Sequence, residues 1–302
     1  MSILIADGGS TKIDWTIVSR ISQKTFRSPG INPVLWDIGK IEQMLQEGLP
    51  HEILSDVESV YFYGAGCLGR SAEKIQEALM RVVAHDAEIE VESDLLGAAR
   101  ALFGNERGIA CILGTGSNSA LYDGKEIISN IHPLGYILGD EGSGASIGKH
   151  FLNALYKGRL PESLRKDFEI ETGLTYDDVI DHVYRQPMAN KFLASLVIFV
   201  SKRRKECAEL LNEEFDNFIE KDILPYNHCE LPVGIVGGVG YEFHEELKEI
   251  FLRHRLKLNK VVAKPMENLV DYHLRMVKGV GGVTSDSPDM GRNSLEVEYM
   301  GS

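Results

Sequence analysis

The sequence holds no apolar run long enough to cross a bilayer: stretches such as Leu196–Val200 fall far short of the ~18 residues a spanning helix needs. Positive charge is also scarce, with 32 Lys and Arg against 45 Asp and Glu and a net charge of −13. A general nucleic-acid binder carries the opposite balance, because neutralising phosphates takes clustered Lys and Arg, so neither nucleic acid nor membrane is an expected partner. Cysteine is sparse. Cys67, Cys111, Cys207 and Cys229 form no CxxC pair, which argues against zinc and iron–sulfur sites within one chain and predicts reduced, mostly buried thiols. No G-x-x-x-x-G-K-[ST] occurs, so the P-loop class is out. Gly114-Thr115-Gly116 has Ser119 where a dinucleotide fingerprint needs its third glycine, which leaves NAD little support. Met1–Asp7 lacks the basic segment of a secretory signal, so a cytoplasmic protein is expected.

The 302 residues suggest two domains, and 43% hydrophobic residues suffice for ordinary cores. The apolar run Ile3–Ala6 leads into Asp7-Gly8-Gly9-Ser10-Thr11-Lys12 and out into a second apolar run, Ile13–Val18. The same design returns at Ile109–Leu113, Gly114-Thr115-Gly116-Ser117-Asn118 and Ser119–Gly124. Two strand–turn–strand hairpins this far apart predict a repeat at domain scale. Between them, Ser59–Tyr63 and Ile89–Glu92 read as strands, while Ile75, Leu79, Val82 and Val83 share a helical face and Leu95–Phe103 reads as a helix. Strand and helix alternate, which predicts an α/β fold. Further on, Ala145–Tyr156 and a long stretch over Tyr176–Ile223 read as helical. Leu231–Val236 reads as a strand, Gly237–Gly240 as a turn, Tyr241–Arg253 as a helix, Val261–Ala263 as a strand and Pro265–His273 as a last helix. These spacings predict domains over 1–105 and 106–273, the last helix being free to pack back on the first domain, with 274–302 as a disordered or artificial tail.

Turns of Gly, Ser and Thr between strands present successive backbone N–H groups that can converge on an anion. Two such turns facing each other across a cleft would grip one polyphosphate from opposite sides. Asp7, ending the first strand, could hold Mg²⁺ through water, because that ion takes one or two carboxylates and leaves the rest to phosphate and water, or it could accept N–H bonds within the turn. Asp94 opens a helix and could merely cap it, but it also lies where a base for a hydroxyl would be placed. In Pro133–Gly144, Asp140 could accept two sugar hydroxyl hydrogens, or it or Ser143 could cap the next helix. Gly30-Ile31-Asn32-Pro33 reads first as a turn.

Asp7-Gly8-Gly9-Ser10-Thr11-Lys12, Asp94, Gly114-Thr115-Gly116-Ser117-Asn118, Gly139-Asp140-Glu141-Gly142-Ser143 and Gly237-Gly238-Val239 follow one another in an order that resembles the N-acetylglucosamine kinases. These belong to the BadF/BadG/BcrA/BcrD ATPase group of the sugar kinase and actin superfamily. The resemblance spans about residues 3 to 273 and departs from the family pattern at Tyr136-Ile137. It implies two ribonuclease-H-like (actin-like ATPase) domains with ATP and Mg²⁺ in the cleft between them. It further implies that Gly8, Gly9, Ser10, Thr11 and Lys12 form the first phosphate turn, that Gly114, Thr115 and Gly116 form the second, and that Gly237, Gly238 and Tyr241 lie on the adenosine side. Asp94 then corresponds to the catalytic base for the sugar's 6-hydroxyl, with Asn32, Ser117, Asn118, Leu134, Gly135 and Asp140 around the sugar. A homodimer is compatible with this family. The expected activity is phosphorylation of N-acetylglucosamine or a related amino sugar. The rivals are an ATPase activating a partner dehydratase, for which the cysteines are badly spaced, and a nucleotide and sugar sensor that would have no use for Asp94.

Overall fold

The computed structural model describes residues 2–9 and 12–277. The first half comprises β1 (Ser2–Gly8), β2 (Lys12–Ser19), β3 (Gln23–Pro29), α1 (Ile38–Gly48), α2 (His51–Asp56), β4 (Ser59–Gly64), α3 (Arg70–Val82), β5 (Glu88–Ser93) and α4 (Asp94–Phe103). The second begins with β6 (Gly108–Leu113), β7 (Ser117–Tyr122), β8 (Ile127–Ile131), α5 (Gly135–Leu138) and α6 (Gly144–Tyr156). It continues through α7 (Glu162–Thr172), α8 (Tyr176–Tyr184), α9 (Ala189–Ser195), α10 (Val197–Ser201), α11 (Ala208–Phe218), a π-turn (Ile219–Ile223) and a 3₁₀ turn (Leu224–Tyr226). It ends with β9 (Pro232–Val236), α12 (Gly238–Glu242), α13 (His244–Arg253), β10 (Lys257–Val262) and α14 (Met266–Val277).

The two halves repeat one topology. The sheet orders are β3-β2-β1-β4-β5 and β8-β7-β6-β9-β10, each with two antiparallel pairings followed by two parallel ones. This is the ribonuclease-H-like α/β architecture. Alternation along β1 explains how its sheet is covered on both faces. Leu4 and Ala6 join Ile41, Leu45, Ile75 and Leu79 of α1 and α3, whereas Ile3 and Ile5 join Ala101 of α4 and Met266, Leu269 and Val270 of α14. Helix α4 also packs on the other sheet, where Leu96, Ala99 and Leu102 meet Ala110, Tyr122 and Val236. It is therefore a wedge shared by both sheets, and its first turn lies at the carboxyl ends of β1, β4 and β5.

Several boundaries differ from the sequence reading. The helical stretch over Tyr176–Ile223 is broken after Tyr184, where Pro187 removes a helical N–H and Met188 turns left-handed at φ 64°. β5 extends one residue further, to Ser93, and β7 begins already at Ser117. β10 starts at Lys257, and α12 forms inside the expected glycine turn. α14 continues to Val277, past the expected tail boundary, because Leu274 still packs on the cluster beneath it. The rest of the tail, 278–302, lies outside the described residues.

Candidate active site

The register across the first sheet brings Gly8, Gly64 and Ser93 level at the carboxyl ends of β1, β4 and β5, with Asp7, Tyr63 and Glu92 one step behind. Asp94 follows immediately. Ser93, not Asp94, is the N-cap of α4, its hydroxyl accepting from the Leu96 amide at 3.2 Å. Asp94 is thereby free of the capping role, its Oδ1 accepting the neighbouring Leu95 amide at 3.0 Å while its own backbone amide also bonds the carboxylate. Burial pushes the Asp94 carboxyl above its ordinary value, with the Leu95 amide pulling the other way.

Asp7 pairs directly with Asp14 across β1 and β2. Directly opposed like charges repel. Burial, reinforced by Asp14 and Asp94, pushes Asp7 up to about 6. Asp14 is also driven upward by burial, but Arg27 Nε at 2.7 Å, Lys264 Nζ at 3.5 Å and Lys12 together leave it below its usual range. Lys264 comes from the link between β10 and α14, so the second sheet's last connection delivers a cation to the first sheet's carboxylates. The adjacent turn is closed by the Gly9 amide on the Lys12 carbonyl at 2.9 Å. Ser10 and Thr11, both assigned to the phosphate turn, lie outside the described residues.

The second turn is fixed through its carbonyls. Gly114 O accepts from Gly144 N at 2.9 Å and Thr115 O from Ala145 N at 3.0 Å, tying the turn to the start of α6, which Ser143 caps. The Thr115 and Gly116 amides take no part in these bonds. Gly237 backs onto the same turn: a Cβ there would stand 2.2 Å from Leu113 O, and φ is +131°, so only glycine fits. Two of the three predicted nucleotide segments thus meet. Gly238 has open space on its Cβ side, and the half-exposed Tyr241 ring lines an outer groove of about 380 Å³ with His244, Lys248 and Lys260.

Asp140 lies beneath Gly116. Its Oδ2 is 2.9 Å from where a Gly116 Cβ would stand, its carboxylate accepts the Ser117 amide, and burial followed by Glu141 pushes it up to about 6. Its backbone amide donates to Pro133 O at 3.0 Å, which draws in the left-handed Leu134 and Gly135. Ser143 takes the capping role considered for Asp140. The remaining sugar-side positions are otherwise engaged: Asn118 Oδ1 accepts from the Ser119 amide and the Asn130 side chain, each at 2.9 Å, and Asn32 Oδ1 closes its own turn on the Leu35 amide at 3.3 Å. Asp14, Arg27 and Lys264 were missed from sequence. The available signal was Asp14 itself, a charge inside the apolar run Ile13–Val18.

Three comparisons bear on this arrangement. No family model matches the chain. A solved structure of a candidate N-acetylglucosamine kinase from Porphyromonas gingivalis is 44% identical, with a TM-score of 0.85 over 90% of this chain and 98% of that one. Another, from Chromobacterium violaceum, shares the fold at 20% identity and a TM-score of 0.64, over 90% and 98%. An N-acetylmuramic acid/N-acetylglucosamine kinase of Clostridium acetobutylicum is 26% identical over 208 residues, 65% of this chain and 68% of that protein. The paired ribonuclease-H-like sheets, together with the 44% identity to the Porphyromonas protein, place the chain among the sugar kinases. Within that class, the chain belongs to the N-acetylglucosamine kinase family that the Porphyromonas protein represents.

Proposed function

We propose that this protein is a phosphotransferase with an alcohol acceptor, moving the γ-phosphoryl group of ATP to the 6-hydroxyl of N-acetylglucosamine or a close amino sugar. The observation that carries this reading is Asp94. It is a half-buried carboxylate at the carboxyl end of β5, relieved of capping by Ser93, with a basicity raised by desolvation and a charge felt by Asp7. A general base works best with a pKa near the operating pH, and Asp94 is moved in that direction. It would accept the hydroxyl proton as the sugar oxygen attacks phosphorus. Asp140 would accept hydrogens from two ring hydroxyls, while the turns at Gly8–Lys12 and Gly114–Gly116 hold the phosphates from either side, with Lys12 and Lys264 supplying positive charge.

Among the described residues no three His, Cys, Asp or Glu side chains form a metal cage. The donor set of Asp7 beside Asp14 nonetheless suits Mg²⁺, which takes few protein ligands where phosphates and water supply the rest. Bound there, the ion would neutralise phosphate charge. The cysteines support the kinase over the dehydratase activator: Cys67, Cys111 and Cys207 are buried and only Cys229 is exposed.

Asp94→Asn tests the assignment, since the amide keeps the Leu95 contact and loses the base. Turnover should fall by about 10²- to 10⁴-fold while ATP binding, measured by calorimetry, is spared. Sugar phosphorylation retained at the wild-type rate would remove the assigned base.

A further inference from the structure

The loop that carries Asp140 is gripped from below by one segment, α11 with its π-turn, to which no sequence motif points. Glu214 of α11 is 3% exposed and its carboxylate meets Nδ1 of His150 on α6. Burial alone would push its carboxyl up, but His150, the Ser146 hydroxyl and the Gly142 amide hold it below its ordinary value, so the carboxylate remains charged at the loop's C-terminal side. Phe218 and Phe215 of the same helix lie directly under Gly142. One turn further on, Lys221 Nζ holds Glu141 Oε1 at 2.9 Å. The two residues that follow Asp140 are therefore both anchored to one segment.

Asp140 itself is left-handed at φ 57°, with its amide on Pro133 O and its carbonyl accepting the Ser143 amide at 3.1 Å. In such a strained, tightly bonded turn, the direction of the side chain follows the positions of its neighbours. We infer that Glu214, assisted by Lys221, is a positioning residue that aims Asp140 at the sugar. This rests on the reading of Asp140 as a sugar-binding group. It makes α11 a determinant of sugar affinity, although no part of α11 belongs to the predicted site.

The test is steady-state kinetics of Glu214→Ala, Glu214→Gln, Lys221→Ala and Asp140→Asn with N-acetylglucosamine and ATP varied separately. A displacement of about 1 Å can cost about 100-fold, so Glu214→Ala should raise the sugar KM by about 10-fold or more and change the ATP KM less than about twofold. Glu214→Gln, which keeps the shape and one accepting oxygen but turns the other position into a donor, should recover part of that loss. Lys221→Ala, whose side chain is 56% exposed and whose removal spares the fold, should raise the sugar KM by about threefold. An unchanged sugar KM in Lys221→Ala together with a folded Glu214→Ala, or equal rises in both KM values, would overturn the inference. If Asp140→Asn also leaves the sugar KM unchanged, the reading of Asp140 itself falls. If Asp140→Asn raises it and the α11 variants do not, only the positioning role is lost.

Discussion

Replacing Gly116 by alanine probes the contact on which the two halves of the proposed chemistry depend. The new Cβ would stand 2.9 Å from Asp140 Oδ2, 3.3 Å from Cγ and 3.5 Å from Oδ1. Ordinary van der Waals contact begins near 3.4 Å, so the carboxylate or the turn must yield by about half an ångström. Asp140 has little freedom to do so: it is 9% exposed, left-handed, and bonded at both its amide and its carbonyl. The carboxylate should therefore be displaced within the proposed sugar site. If about 1 Å costs about 100-fold, half of that predicts a sugar KM raised by about 10-fold, with overpacking lowering stability by about 1 to 3 kcal/mol. A coupled assay of ADP release, with sugar varied at saturating ATP, reads the first effect, and urea denaturation reads the second. A sugar KM unchanged in Gly116→Ala, or a loss confined to ATP, would refute the claim that the phosphate turn and Asp140 form one unit.

Sugar affinity should depend on pH through Asp140. Only the ionised carboxylate accepts hydrogens at both oxygens, and burial has moved its pKa to about 6, so affinity should be full at pH 7.5 and about 10-fold weaker at pH 5. Calorimetry without nucleotide checks this, and a flat profile would contradict it. Arg100 of α4 donates to Tyr63 Oη at 2.7 Å and pairs with Glu90, while Tyr63 Oη also meets His273 Nε2 of α14 at 2.8 Å. Arg100→Ala should cost about 3 kcal/mol by leaving this partly buried network unpaired, read as a lowered denaturation midpoint. Lys264→Ala should raise the ATP KM by several-fold, because it removes a cation from beside Asp7 and Asp14. An unchanged ATP KM would leave Lys264 as a surface ion pair only.

What the sequence showed best was the repeat. The hairpins around Gly9 and Gly116 each carry two buried strands, and burial on both faces leaves a continuous apolar signal. The third strand of each sheet left no such trace, because β3 and β8 are edge strands whose residues mostly face solvent. β10 was recognised only at its end for the same reason, with Lys257, Asn259 and Lys260 masking its start. At the site, residue type could not decide between Ser93 and Asp94 as the cap of α4, since both cap well. The backbone decides it by ending β5 one residue later than its apolar core suggests, and that single step leaves Asp94 available for chemistry. Glu214 was illegible for a different reason. On α11 it is one acid among several, and only the packing of α11 beneath residues 141–146 distinguishes it from a solvated one.

The central claim is a sugar-dependent transfer of phosphate, and the most direct measurement is ADP release with ATP and Mg²⁺ against N-acetylglucosamine, glucosamine, N-acetylmannosamine and glucose, beside a control without sugar. The account predicts strong stimulation by N-acetylglucosamine or a close amino sugar, with one sugar 6-phosphate formed for each ADP. ADP release that is indifferent to sugar, or absent with every sugar, would contradict it.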